Sequence, residues 1–257
     1  MSDPGRVQPV AGPAPQSPGL NQWQRVTNTF TAPSKTFEDI KRGNKSWWLP
    51  YLITVLFSFV LFVGITMKVG WEQVAENNIR MNPKQAARMD QLTPEQHANA
   101  MRFAGAFTEI IVSASPVMVL LGASVVSLLV WSTINFGFGG KATFGEVFAV
   151  NFYATLPNII PPILGTIALF AGLAPESFMI NNVAGTNVAY YLSFQDTNKA
   201  LYAFASQLDF VSIWVAVLLS IGIAKVAGKS RSAGYITVFG WWAVWTLIRV
   251  GMGLMAG

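Results

Sequence analysis

The sequence contains no cysteine and a single histidine, His97. The first absence excludes disulfides, thiolate metal sites and cysteine nucleophiles, and the second makes a histidine-built metal cluster unavailable. Charge is scarce as well: 11% of the residues are Asp, Glu, Lys or Arg, against 52% hydrophobic. A soluble domain of 257 residues cannot hide that much apolar side chain in one core, so the composition points to a bilayer. The N-terminus has no apolar stretch of the signal-peptide kind. Residues 1–22, MSDPGRVQPVAGPAPQSPGLNQ, hold five prolines and three glycines and read as a disordered cytoplasmic tail ahead of a membrane domain at 23–257.

What is present is a set of long apolar runs. Five of them reach the length of about 20 residues that crosses the hydrocarbon core of a bilayer. They lie at 47–67, 105–134, 147–172, 207–227 and 234–255 and predict an all-α, polytopic bundle of five transmembrane helices. An odd number of spans puts the termini on opposite sides. Ten basic residues flank one side: Arg6, Arg25, Lys35, Lys41, Arg42, Lys45, Lys141, Lys225, Lys229 and Arg231. Six lie on the other, in longer loops: Lys68, Arg80, Lys84, Arg88, Arg102 and Lys199. The positive-inside rule then places the N-terminus in the cytoplasm and the C-terminus outside, in a multi-pass protein of the inner membrane. The net charge of +5 is read the same way, as a topology signal with no nucleic-acid partner.

Residues 33–45 predict an amphipathic helix on the inner membrane surface. Phe37 and Ile40 share a face, and Lys41, Arg42 and Lys45 follow. Trp47 and Trp48 then fall at headgroup level as the anchor of the first span. In the connection after the first span, Asn82-Pro83 and Thr93-Pro94 each read as a helix cap followed by proline, and Thr93 with Gln96 forms a capping box. The glycine-rich NFGFGGKATFGE at 135–146 fails the phosphate-loop pattern: Asn135 stands at the first glycine position and Ala142 follows the lysine, so it reads as a tight turn.

Two stretches carry a family pattern. FTAPSKTFEDIKRGNKSWWLPYLI at 30–53, with its F-x-x-P-x-x-T-F-x-x-I, spacer and W-x-x-P, resembles the opening of Yip-domain proteins. GGKATFGEVFAVNFYATLPNIIPPIL at 139–164 resembles the same family's turn into its third span. The resemblance extends over residues 23–255 and implies five spans with a cytoplasmic tail. The family takes its name from eukaryotic members that interact with Ypt/Rab GTPases; the proline-rich leader and short inner loops look more like its bacterial branch.

Two features stand out against the apolar background. Glu109, Asp209 and Arg249 fall well inside the expected spans, all in the outer leaflet, and the expectation is an ion pair between Arg249 and one of the carboxylates. Prolines interrupt two spans: Pro116 in the second, and Pro157, Pro161 and Pro162 around Asn158 in the third. Proline at 161 and 162 withdraws the helical amide donors from the carbonyls of Pro157 and Asn158, which then need another partner. These features point to a non-enzymatic membrane protein without a cofactor. It would organise membrane or serve as an accessory or scaffold subunit, with the bilayer and other membrane chains, or itself, as partners. The alternative is a small-solute or ion transporter built on the interrupted spans.

Overall fold

The computed structural model describes residues 19–256, so residues 1–18 of the expected tail lie outside the described residues. The last residues of that tail belong to the fold. Asn21 accepts from Gln24 N at 2.8 Å and donates its own N–H to Gln24 Oε1 at 2.9 Å, a capping box that starts helix α1, Gln22–Thr31. Ala32 breaks the chain and α2, Pro33–Lys41, returns as the second arm of a hairpin, with proline in its first turn.

Helix α3, Trp48–Lys68, is the first span. Beyond it, α4 (Trp71–Arg80), α5 (Pro83–Met89) and α6 (Pro94–Ser113) form a helical cap, the last two starting at the expected Asn82 and Thr93 caps. Gly105 lets α6 approach the α4 backbone; a Cβ there would meet Glu72 N at 2.9 Å. Helix α7, Ser115–Ser132, continues into a single π-helical turn to Gly137. The second span therefore begins at Ser115, ten residues later than the apolar run suggested. The apolar stretch runs on through α6, but Ala114 ends that helix and Pro116 sits in the first turn of α7. Pro116 opens a helix there and interrupts none.

The third span is two half-helices, α8 (Phe144–Ala154) and α9 (Ile160–Phe170), joined by a 3-10 turn at Leu156–Ile159 and bent by 40°. A loop leads to α10, Lys199–Gln207. Helix α11, Phe210–Ala227, is the fourth span and α12, Arg231–Ala256, the fifth. Counting the bent pair as one crossing, five spans stand as expected. Among the described residues the secondary structure is entirely helical apart from one isolated bridge between Asn187 and Asp209.

Two apolar cores hold these elements. The larger joins α2, α7, α8, α11 and the start of α12 through Phe37, Val130, Tyr153, Leu156, Ile223 and Val238. The smaller sits at the other end, where Ile65, Trp71, Val74, Leu169 and Phe178 meet. Helix α11 is the axis: 56% of its apolar window is buried, against 22% for α3, 17% for α7 and 11% for α12. Hydrocarbon tails are as apolar as leucine, so close backbone approach replaces the hydrophobic drive between spans. Gly222 and Gly234 permit it. A Cβ on Gly222 would lie 2.4 Å from Val150, and one on Gly234 would lie 2.2 Å from Ser220 O. The turn between α11 and α12 closes on Gly228, whose φ of +65° lies in the left-handed region that glycine occupies without strain.

Four lysines gather at the hairpin end of this bundle. Lys225 pairs with Glu38, Lys45 donates to Thr143 Oγ1 at 3.0 Å, and the Nζ atoms of Lys41 and Lys229 approach the turns at Gly228 and Gly139.

Gly234→Ala is expected to destabilise the protein by about 1–3 kcal/mol through overpacking against α11. Gly240→Ala, where the added Cβ meets open space, should leave it unchanged or slightly more stable. Thermal unfolding of both variants in one mild detergent checks the pair.

Candidate functional site

The α1–α2 hairpin packs into the bundle and does not lie flat beneath it. Phe37 and Ile40, expected to face lipid, are fully buried in the larger core. The contacts of the hairpin on α11 run from Lys225, held by Glu38 at 2.5 Å, to Trp214, met edge-on by Phe30. Those two positions are about three helical turns apart. The remaining expected anchor residues divide. Lys41 is exposed, Arg42 lies 3.7 Å from Glu38, and Lys45 reaches Thr143. Trp47 stacks on Phe152 with ring centroids 5.0 Å apart, which leaves Trp48, 50% exposed, to face outward.

At the centre of the hairpin is a buried ion pair. Arg25 is 1% exposed and Asp39 5%, with Nε and Oδ2 3.6 Å apart. The guanidinium also donates to Asn44 O at 2.9 Å and Ser46 O at 3.2 Å, and its carbon stands 5.1 Å over the Tyr153 ring. Asp39 accepts from Leu20 N at 3.0 Å and Asn44 Nδ2 at 3.1 Å. Tyr153 in turn donates to Gln22 Oε1 at 2.6 Å, closing the set onto α8. Arg25 entered the sequence reading only as a topology charge. Its partner is 14 residues away on the antiparallel arm, a spacing that signals nothing until the hairpin is known.

The proline break lines a cleft of about 630 Å³ between α3, α7, α8, α9 and α11. Its wall is mostly apolar, with Thr54, Ser58, Asn151, Thr155 and the exposed Asn158 among the polar lining. The backbone at the break is largely satisfied locally. Ile160 N donates to Pro157 O in the 3-10 turn, and Asn158 N donates to Thr155 O at 2.9 Å. The carbonyl of Pro157 is therefore not orphaned, because the tighter turn substitutes an i+3 donor for the missing i+4 one. The amide that bridges to the second span is Asn151, seven residues before Asn158; it is buried and donates to Ala123 O at 3.1 Å and Ser127 Oγ at 3.2 Å.

The expected intramembrane ion pair does not form: among the described residues no pair within 4 Å joins Arg249 to Glu109 or Asp209. Each carboxylate has a different place. Asp209 caps α11, accepting from Ser212 N and Thr186 Oγ1, both at 2.6 Å. Glu109 is half-buried on α6, outside the candidate spans. Of the three, only Arg249 lies within one.

A helical hairpin locked by buried charge onto a bundle of five crossings, one of them broken at prolines, defines a class of polytopic membrane protein. The Yip1 domain model matches residues 27–252, and the chain belongs to that family. It is 23% identical over 254 residues to the membrane protein YknW of Bacillus subtilis (strain 168), covering 98% of each chain. No solved structure matches it. The motif residues now have positions: Thr36, Phe37, Ile40 and Pro50 are buried where the hairpin and α3 enter the bundle. In the second motif, Thr143 and Glu146 cap α8, while Leu156 and Pro157 are buried in the 3-10 turn.

Asp39→Ala leaves the Arg25 guanidinium buried without its counter-charge and is expected to cost about 3–5 kcal/mol. Faster tryptic cleavage at the exposed Lys35, together with a lower melting temperature, reports the loss. A second outcome concerns pH. The hydrogen bond from Lys225, aided by the charges of Lys225, Arg42 and Lys41, holds the Glu38 carboxyl below its ordinary value of 4.5, although burial opposes the shift. A depressed carboxyl pKa stabilises the fold above the unfolded-state value, and that contribution fades as pH falls through the folded-state value. The stability difference between the wild type and Glu38→Gln is therefore expected at pH 7 and should vanish on acidification below the normal carboxylate range.

Proposed function

We propose that this Yip1-family membrane protein is non-enzymatic and acts as an accessory or scaffold subunit of a larger membrane assembly in the cytoplasmic membrane. The observation that carries the reading is the uneven packing of its spans. Helix α12 buries 11% of its apolar window within the chain and α7 17%, which leaves broad faces for helices of other chains or a second copy. Glycines without neighbours at 122 on α7 and at 240 and 251 on α12 make close approach by another helix sterically open there. The gathering of basic residues at the hairpin end supports a cytoplasmic N-terminus. The hairpin docked on α11 at that end leaves Trp23, 65% exposed, as an available contact.

A transporter is the second reading, favoured by one observation: Asn158, at the broken helix, lines an open cleft that includes further polar side chains. The two readings separate in one set of measurements. Affinity purification of the full chain from native membranes in mild detergent is expected to recover a defined stoichiometric partner, and liposomes containing the purified protein should show no substrate-dependent flux. Recovery as a lone monomer, with saturable flux abolished by Asn158→Ala, would reject the subunit reading in favour of transport.

A further inference from the structure

At the end of the bundle away from the hairpin lies a cavity of about 890 Å³, enclosed by α4, α5, the loop before α10, α10 itself and the last turns of α12. Three cations line it, Lys84 of α5, Lys199 of α10 and Arg249 of α12, and the lining includes no carboxylate. Asn78, Asn181 and Gln207 add amide donors, and Met81, Met179 and Met252 add apolar surface.

The positions of the cations follow from the packing. A Cβ on Gly253 would lie 2.8 Å from Lys199 O, so α12 meets the first turn of α10 almost backbone to backbone. Arg249 sits one turn earlier on the same face of α12, about 6 Å along the axis. The Lys199 ammonium is held toward the loop, donating to Phe194 O at 2.5 Å and standing 3.6 Å from the centroid of the Phe194 ring. Neither Arg249 nor Lys84 has a hydrogen bond or ion pair among the described residues. The nearest acid in sequence to Lys199, Asp196, accepts from Ser193 Oγ at 2.6 Å and does not line the cavity.

A guanidinium inside a span without a counter-charge is costly in lipid, and intramembrane arginines ordinarily face a partner. Here no partner comes from the protein. The chemistry that fits three cations lining one cavity with amide donors is an oxyanion of high charge density, and a phosphate matches the planar donor fork of arginine in two hydrogen bonds. The apolar part of the lining indicates the source. Met252 continues into the exposed face of α12 formed by Ile248, Trp245 and Val244, at helical spacing on the same side, which a soluble phosphate would leave unused and an acyl chain would cover.

We propose that this cavity binds the phosphate of an anionic phospholipid, held by Lys84, Lys199 and Arg249, with an acyl chain lying along the α12 face. The test uses the full-length protein reconstituted in nanodiscs of phosphatidylcholine with and without phosphatidylglycerol. Lipids retained after transfer to mild detergent are counted by native mass spectrometry. Wild type is expected to retain phosphatidylglycerol in preference to phosphatidylcholine. Arg249→Gln should lower that retention about tenfold, the scale of one lost charge-assisted contact. Arg249→Lys should keep part of it, and Lys229→Gln at the opposite end should change nothing. Should Arg249→Gln aggregate, Lys84→Gln, on the exposed face of the short α5, must lower retention by itself. Equal retention of the two lipids by wild type, or unchanged retention in well-folded Arg249→Gln or Lys84→Gln, overturns the proposal. A rise in melting temperature with inorganic phosphate in pure phosphatidylcholine discs, without any preference for phosphatidylglycerol, assigns the site to a soluble anion and overturns the lipid source.

Discussion

A guanidinium taken out of water demands partners, and Arg25 finds its counter-charge, two carbonyl acceptors and an aromatic face only when three other pieces of chain are in place. Asp39 must come from the returning arm of the hairpin, Asn44 and Ser46 from the segment that leads into α3, and Tyr153 from α8. The desolvation cost of the charge makes any partial arrangement unfavourable, so these pieces order together or not at all. The entry angle of the first span and the seating of α8 are thereby coupled to a pair of helices with little apolar surface of their own. Phe37 and Ile40 add burial at the same contact, but apolar packing alone has no direction; the ion pair and its hydrogen bonds select one docked geometry.

Inside the bundle the constraint is different. Spans in lipid gain little from hiding one apolar surface against another, and the contacts that distinguish this fold are close backbone approaches at Gly222, Gly234 and Gly253. Polar side chains supplement them sparingly. Asn151 ties α8 to α7, and Asn77, buried, donates to Pro175 O and Phe178 O at 2.8 Å to fasten the far-end loop onto α4. The Asn77 amide adds a second donor to the Pro175 carbonyl, which already accepts from Phe178 N at 3.2 Å, and Asn151 reaches a carbonyl and a hydroxyl of the neighbouring span.

The crossings themselves were readable because hydropathy and length are local properties of the chain. The boundaries of four of them fall within a few residues of the expected positions. The second was misplaced because the apolar character of α6 runs on past Ala114, and hydropathy does not register a break that is made by backbone geometry. The helix caps at Asn82 and Thr93 were legible for the same local reason, whereas the Thr143 cap on α8 lay within a stretch read only as a turn. The candidate sites were less so. Phe37 and Ile40 were read correctly as an apolar face, but their spacing holds no information on whether protein or lipid covers it. Arg25 with Asp39, and Lys199 with Arg249, are brought near each other by tertiary packing; charge counting along the chain treats Arg25 and Lys199 as isolated topology signals, and the depth argument pointed Arg249 to Glu109 or Asp209 instead.

The bend between α8 and α9 divides the molecule mechanically. Helix α8 belongs to the core that holds the hairpin, and α9 contributes Leu169 to the separate core at the far end. A straight span would act as a rod, carrying an axial or rotational displacement from one membrane face to the other. Two short levers joined by a 3-10 turn decouple those motions. Contacts made at the hairpin face and at the opposite face can therefore change independently, with communication between them left to unbroken spans such as α3, whose Ile53 packs on the larger core and whose Ile65 lies in the smaller.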